Sequence, residues 1–248
     1  MLNFKKEQIY IVTGASSGIG EATAILLNEL GATIVGIGRN QERLEAMKAK
    51  CKYPENVFLE QKDLTEDIEG LPKYVKELKD KYGKFSGMAY CAGIGEIKPL
   101  QIQDYQSLQN LFNINYFAPI MMTKGCVDKR NNIGEGTSIV AISSIASLCS
   151  DKGHIAYSGS KAALNASMNV IAHEVSNFKI RVNTVLPSNI KTPMTALGGE
   201  GYEESQKNLY PFGFGEPNDV ANMVAYLLSE KSKLISGQNY VIDSGGLL

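Results

Sequence analysis

The tightest constraint on this chain is one turn. A short β-branched run, Ile9–Thr13, breaks at Gly14, and Thr13-Gly14-Ala15-Ser16-Ser17-Gly18-Ile19-Gly20 leads straight into a helical pattern over 18–30. In that pattern Ile19, Ala22, Leu26 and Leu30 recur at helical spacing, and Gly31 ends it. Gly14 permits a tight turn, Gly18 lets a ligand approach the backbone, and Gly20 permits close packing of helix on sheet. A helix N-terminus at that point offers free N–H groups and partial positive charge to phosphates. The spacing is GxxxGxG, and a plain glycine turn is the competing reading.

The same alternation runs along the whole chain. Strands are predicted at 33–37, 56–59, 88–91, 138–142, 181–186 and about 240–242, with helices at 41–50, 71–82, 103–127, 156–177 and 218–228. The third helix shows the logic: Leu71, Tyr74, Val75, Leu78 and Tyr82 fall on one helical face. Seven strands alternating with helices require right-handed crossovers and predict a parallel sheet covered on both faces. The expectation is a single α/β domain over 1–248, a doubly wound, Rossmann-type sheet of seven strands. An eight-stranded barrel is the rival, disfavoured because the glycine signal sits on the first strand–helix turn.

Composition narrows the partners. The 248 residues are 44% hydrophobic and 21% charged with a net charge of -1, which predicts no general attraction to nucleic acid or anionic membrane. No apolar run reaches the ~18 residues of a spanning helix, and the first residues lack a signal-peptide core. Cys51, Cys91, Cys126 and Cys149 are widely spaced and form no CxxC, so reduced, mostly packed thiols and a cytoplasmic location are expected. Two histidines leave little material for a zinc site.

The candidate chemistry lies in the second half. Tyr157 and Lys161 stand four apart on a predicted helix and share a face. An ammonium beside a phenol stabilises the phenolate, which predicts a lowered tyrosine pKa suited to proton transfer. An ordinary exposed pair is the bland alternative. Ser144, thirteen residues upstream of Tyr157, closes the fifth strand, where open parallel sheets place their ligand crevice.

The segment Thr13 to Gly20 together with Ser144, Tyr157 and Lys161 resembles the short-chain dehydrogenase/reductase family in its compact branch, over nearly the whole chain. The resemblance implies an oxidoreductase moving a hydride between NADP(H) and a carbonyl or secondary alcohol, as a reductase in the cell. It implies that Tyr157 handles the proton, that Ser144 hydrogen-bonds the carbonyl oxygen, and that Lys161 binds the nicotinamide ribose and depresses the tyrosine pKa. Asn115 matches a fourth catalytic residue holding a water for a proton relay, with Asn113 as the alternative. The cofactor groove it implies comprises Gly14, Ser16, Ser17, Gly18, Ile19 and Gly20, with Arg39, Asp63, Leu64, Ala92, Gly93, Tyr157, Lys161, Pro187, Ile190 and Thr192. The family's Asn-Asn-Ala-Gly stands here as Tyr90-Cys91-Ala92-Gly93, which leaves open what ties the strand ends together.

For the cofactor, the end of the second strand decides. An acid there would bind a ribose 2'-hydroxyl, but the sequence has Gly38-Arg39, which suits a 2'-phosphate and favours NADP(H) over NAD(H). Arg39 and Arg43 at a solvated helix start, and Asp63 capping a turn, are the plain alternatives. His154 is read as a bystander and Lys129–Arg130 as a solvated helix end. A substrate loop is expected at about 188–216, with a mobile lid between about 195 and 214, rich in glycine and aromatic residues and less ordered without substrate than with it; a fixed loop packed on the core or on a neighbouring subunit is the plain alternative. The helices at 103–127 and 156–177 resemble the pair that joins family members, implying a homotetramer or homodimer. No metal is expected. A 3-oxoacyl-[acyl-carrier-protein] reductase, and more distantly a non-catalytic NADP(H)-sensing regulator, are the other readings; the substrate itself is not encoded in any motif.

Overall fold

The structure is a computed structural model describing residues 2–149, 151–199, 201–206 and 208–246. Among these, seven strands form one sheet: β1 Ile9–Thr13, β2 Thr33–Gly38, β3 Val57–Gln61, β4 Gly87–Tyr90, β5 Ser138–Ile142, β6 Arg181–Pro187 and β7 Asn239–Ile242. Every pairing is parallel and the order is β3-β2-β1-β4-β5-β6-β7. The chain winds outward from β1 in one direction, then returns to β4 and winds in the other. The crevice between the carboxyl ends of β1 and β4 is therefore the switch point where such sheets bind ligands.

Helices α1 Gly18–Glu29, α2 Gln41–Ala49 and α8 Pro217–Leu228 line one face. On the other lie α3 Leu71–Tyr82, α4 Tyr105–Phe112, α5 Ala118–Val127 and α6 Ile155–Val175. Successive residues of a strand point to opposite faces. Thus Val12 and Ile34 join the core under α1 and α8, while their neighbours Ile11 and Val35 join the core under α3, α5 and α6. Burial on both sides explains why the inner strands β1, β2, β4 and β5 read as largely apolar runs and not as alternation.

Two expectations are corrected. The helix over 103–127 is three pieces: α4, a π-helical turn Asn113–Phe117, and α5. Pro119 is the physical reason, since it has no N–H for the carbonyl four residues back and its ring crowds that carbonyl. The stretch read as a long loop also carries regular structure, a 3-10 turn Thr195–Gly198 and a short helix, α7 Tyr202–Gln206. Its base is closed by a bridge between Ile190 and Gly215, and Phe214 packs edge-on against both Tyr202 and Tyr210. Glu200 and Lys207 of that stretch lie outside the described residues.

Candidate active site

The crevice is narrow because glycine stands where any side chain would collide. A Cβ on Gly20 would lie 2.3 Å from the Gly14 carbonyl oxygen, so α1 starts pressed against the turn it follows. Ser17 caps α1 with extended backbone and no side-chain hydrogen bond, leaving the first N–H groups of the helix directed into the crevice. Across it, Thr192 reaches over the turn: its Cγ2 would be 3.1 Å from a Cβ on Gly18. Thr195 fixes that arm, its hydroxyl bonding the Ile190 and Thr192 carbonyls and accepting from the Thr192 amide. Ile190 is buried at its base, and Pro187 ends β6.

Thr13, which the sequence reading placed at the head of the glycine turn without a role of its own, ties β1 to β4. Its hydroxyl accepts from the amides of Cys91 (3.0 Å) and Ala92 (3.1 Å). This answers what replaces the missing asparagines. The signal was present as a hydroxyl at the end of a buried strand, but its partners lie 78 and 79 residues away.

At the inner end of the crevice the structure brings together Asn115, Ser144, Tyr157 and Lys161. Ser144 follows β5; its hydroxyl donates to the Pro187 carbonyl at 3.5 Å and accepts from the Ala146 amide at 3.1 Å, and it lies near enough to the Tyr157 phenol to lower that group's proton affinity. Lys161 lies one turn along α6 from Tyr157, buried, with its ammonium 5.8 Å from the phenol ring centre. That ammonium donates to the Ile142 carbonyl at 2.8 Å. Of the two candidate asparagines, Asn115 is the one that enters the site. It is fully buried, accepts from the Ile94 amide, and donates to the Ile94 carbonyl and the Ser160 hydroxyl. A Cβ on Gly93 would meet both the Asn115 Oδ1 at 3.0 Å and the Lys161 Nζ at 3.5 Å, so these two groups flank one glycine. His154 caps the start of α6 with its ring edge-on to Tyr157 at 6.3 Å.

Burial sets the proton affinities. It raises the Tyr157 phenol above its ordinary value, and the Ser144 hydroxyl lowers it only in part. The net direction corrects the expectation of a lowered tyrosine pKa: desolvation of the phenolate outweighs that effect. Burial also pushes the Lys161 ammonium down to about 8, with a small opposing effect from Cys91. Cys91, whose thiol burial raises to about 12, is a neutral neighbour at working pH.

At the far end, β2 stops at Gly38 without an acid. A Cβ on Gly38 would lie 3.1 Å from the Ser16 hydroxyl, so Ser16 and Arg39 open onto the same corner. Asn40 caps α2 by accepting from the Arg43 amide, which places Arg39 just outside the helix. The Arg39 guanidinium is 72% exposed and only 3.9 Å from Asp63, a contact too loose and solvated to hold it. Burial raises the Asp63 carboxyl, but hydrogen bonds from Thr65 and the charges of Arg39 and Lys62 outweigh it and leave it below its ordinary value. Leu64 is packed in the core and offers the crevice only its backbone.

This arrangement fits a dinucleotide on physical grounds. The glycine-walled turn, uncapped helix start and Gly93 cradle leave room for pyrophosphate and ribose where side chains would fill it. Residues 14–246 match a family model described as enoyl-(acyl carrier protein) reductase. The 3-oxoacyl-[acyl-carrier-protein] reductase of Thermotoga maritima is 30% identical over 96% of this chain and 97% of its own. The NAD-dependent glycerol dehydrogenase of Listeria innocua is 31% identical over 96% and 93%. A short-chain dehydrogenase from Burkholderia cenocepacia, solved in complex with NADP, superposes with a TM-score of 0.91 at 26% identity, covering 99% of this chain and 100% of its own. The chain belongs to the short-chain dehydrogenase/reductase family. It is an oxidoreductase whose fold binds a nicotinamide cofactor. Among the described residues no helix is long and apolar enough to cross a membrane, and no cluster of His, Cys, Asp and Glu could hold a metal.

The lysine assignment has a direct check. In protein labelled with carbon-13 at the lysine ε position, one resonance should titrate near pH 8 and vanish in Lys161→Met, charged below that pH and neutral above it. Lysines titrating only around the ordinary ~10.4 would show the ammonium to be solvated.

Proposed function

We propose that the protein is an NADP(H)-dependent reductase of carbonyl compounds, with Tyr157 as proton donor. The observation that carries this reading is the Tyr157 phenol, beside Ser144, one helical turn from Lys161 and at the end of a crevice shaped for a dinucleotide. When bound, the nicotinamide supplies or accepts the hydride. The chain's residues do the rest. In this reading the Ser144 hydroxyl, which reaches the Pro187 carbonyl at 3.5 Å in the free protein, turns with the Tyr157 phenol to a substrate carbonyl oxygen. As negative charge grows on that oxygen, the phenol gives up its proton and the serine donates a hydrogen bond. Burial keeps the phenol protonated, which is the form that reduction consumes. Lys161 has two ammonium protons beyond the one given to Ile142, and these suit ribose hydroxyls. Asn115 holds the loop after β4 and, beside Lys161, lies where a water-fed proton path would pass. The segment 188–216 forms the substrate-side wall, with Met194 3.3 Å from where a Cβ on Gly95 would lie.

The cofactor preference follows from Gly38, Ser16 and Arg39. NADPH oxidation should appear in a panel of ketoacyl thioesters, keto-sugars, diketones, quinones and steroids, and kcat/KM with NADPH should exceed that with NADH. Arg39→Ala should cut that ratio about tenfold to a hundredfold, as expected of one charge-assisted phosphate contact of roughly 1.5–3 kcal/mol. An unchanged ratio would remove Arg39 from the phosphate site. Best activity on the ketoacyl thioesters would select the acyl-carrier reading, and no turnover on any carbonyl would select the sensing one.

The exposed apolar residues Tyr105 and Phe117 at the π-turn helices, and Val170 on α6, support association through these helices. Light scattering at micromolar concentration should give a tetramer or dimer; a 27.0 kDa particle would contradict it.

A further inference from the structure

The π turn Asn113–Phe117 leaves one backbone group without a partner that sequence alone can name. In an α-helix the Ile114 carbonyl would accept from the Ala118 amide, but that amide donates to Asn113. In a π-helix the donor would be residue 119, which is proline and has no N–H. A half-buried carbonyl stripped of both donors needs another. The Tyr90 hydroxyl supplies it at 3.0 Å, from the last residue of β4, with the side chain 1% exposed.

We propose that Tyr90 is a positioning residue: its phenol holds the Ile114 carbonyl and thereby fixes the next residue, Asn115, against Ile94, Ser160 and the Lys161 ammonium. The geometry is a two-point clamp between one strand end and one helical turn. Tyr90 bonds Ile114, and four residues on, the Ile94 amide and carbonyl bond the Asn115 side chain at 3.0 and 2.9 Å. Gly93 lies between the two points, with Asn115 and Lys161 over it. Without the first point, the Ile114 carbonyl has no donor, and the turn, which Pro119 keeps from an α pitch, can shift its register. That rotates Asn115 about the helix axis and away from Lys161. Burial raises the Tyr90 phenol well above its ordinary value, so it remains a hydrogen-bond donor across the working pH range.

The inference rests on the proposed proton chemistry only for its kinetic arm. Tyr90→Phe removes one oxygen and keeps the ring in the core. In this variant the Ile94 amide, which donates to Asn115, should exchange with solvent roughly tenfold faster or more, while the amides of β1 keep their wild-type rates. In turnover, kcat should fall about tenfold or more, as a displaced proton path allows, with KM for NADPH within about twofold of wild type. In an Asn115→Ala background the same substitution should leave kcat unchanged, because its route of action is already gone. Equal losses in both backgrounds, or wild-type exchange at Ile94, would overturn the proposal. Should Tyr90→Phe fail to fold, Tyr90→Met carries the same two readouts. If the wild-type protein reduces no carbonyl at all, the reductase reading fails, and exchange at Ile94 still decides whether Tyr90 positions Asn115.

Discussion

A Cβ on Gly14 would lie 2.9 Å from the Ala92 amide, and everything at the crevice depends on that approach. The ends of β1 and β4 come this close because the Thr13 hydroxyl accepts from both amides that follow β4, Cys91 and Ala92. The contact sets the depth at which α1 begins, and so where its free N–H groups point. It also delivers Gly93 to the place where Asn115 and Lys161 meet. A larger residue at Gly14 would be strained twice, by that contact and by a φ of +67°.

The electrostatics of the inner end follow from burial more than from pairing. Removing Tyr157 and Lys161 from water favours the neutral form of each, raising one and lowering the other. The Ser144 hydroxyl opposes the first shift, and the Ile142 carbonyl gives the Lys161 ammonium one direct acceptor. The site thus holds a protonated phenol beside a lysine that can change charge near pH 8. The outer end is built differently: Arg39 stays in solvent, only loosely paired with Asp63.

The strands and their order of appearance were legible because each is a short apolar run closed by a turn residue. The glycine turn, Ser144 and the Tyr157–Lys161 spacing were legible because each relation is local in the chain. What escaped was long-range. Thr13 reading β4 and Tyr90 reading Ile114 are contacts between segments that composition and periodicity do not connect. The π turn had a visible signal in Pro119, which the helical pattern over 103–127 masked. The direction of the Tyr157 shift was misread because sequence spacing shows the neighbouring ammonium but not the depth at which both groups are buried. Helix α7 was missed because Gly198, Gly199 and Gly201 just before its start suggested a loop throughout.

The claim at the centre of this account is that the Tyr157 hydroxyl protonates a carbonyl as a hydride arrives. NADPH carrying deuterium at C4, mixed with wild-type protein and the best ketone of the panel, should yield an alcohol with one deuterium on its carbinol carbon. Tyr157→Phe should bind NADPH with affinity within about twofold of wild type yet transfer that deuterium slower by roughly a hundredfold or more, as expected for loss of a general acid. Transfer by Tyr157→Phe at close to the wild-type rate would contradict the account.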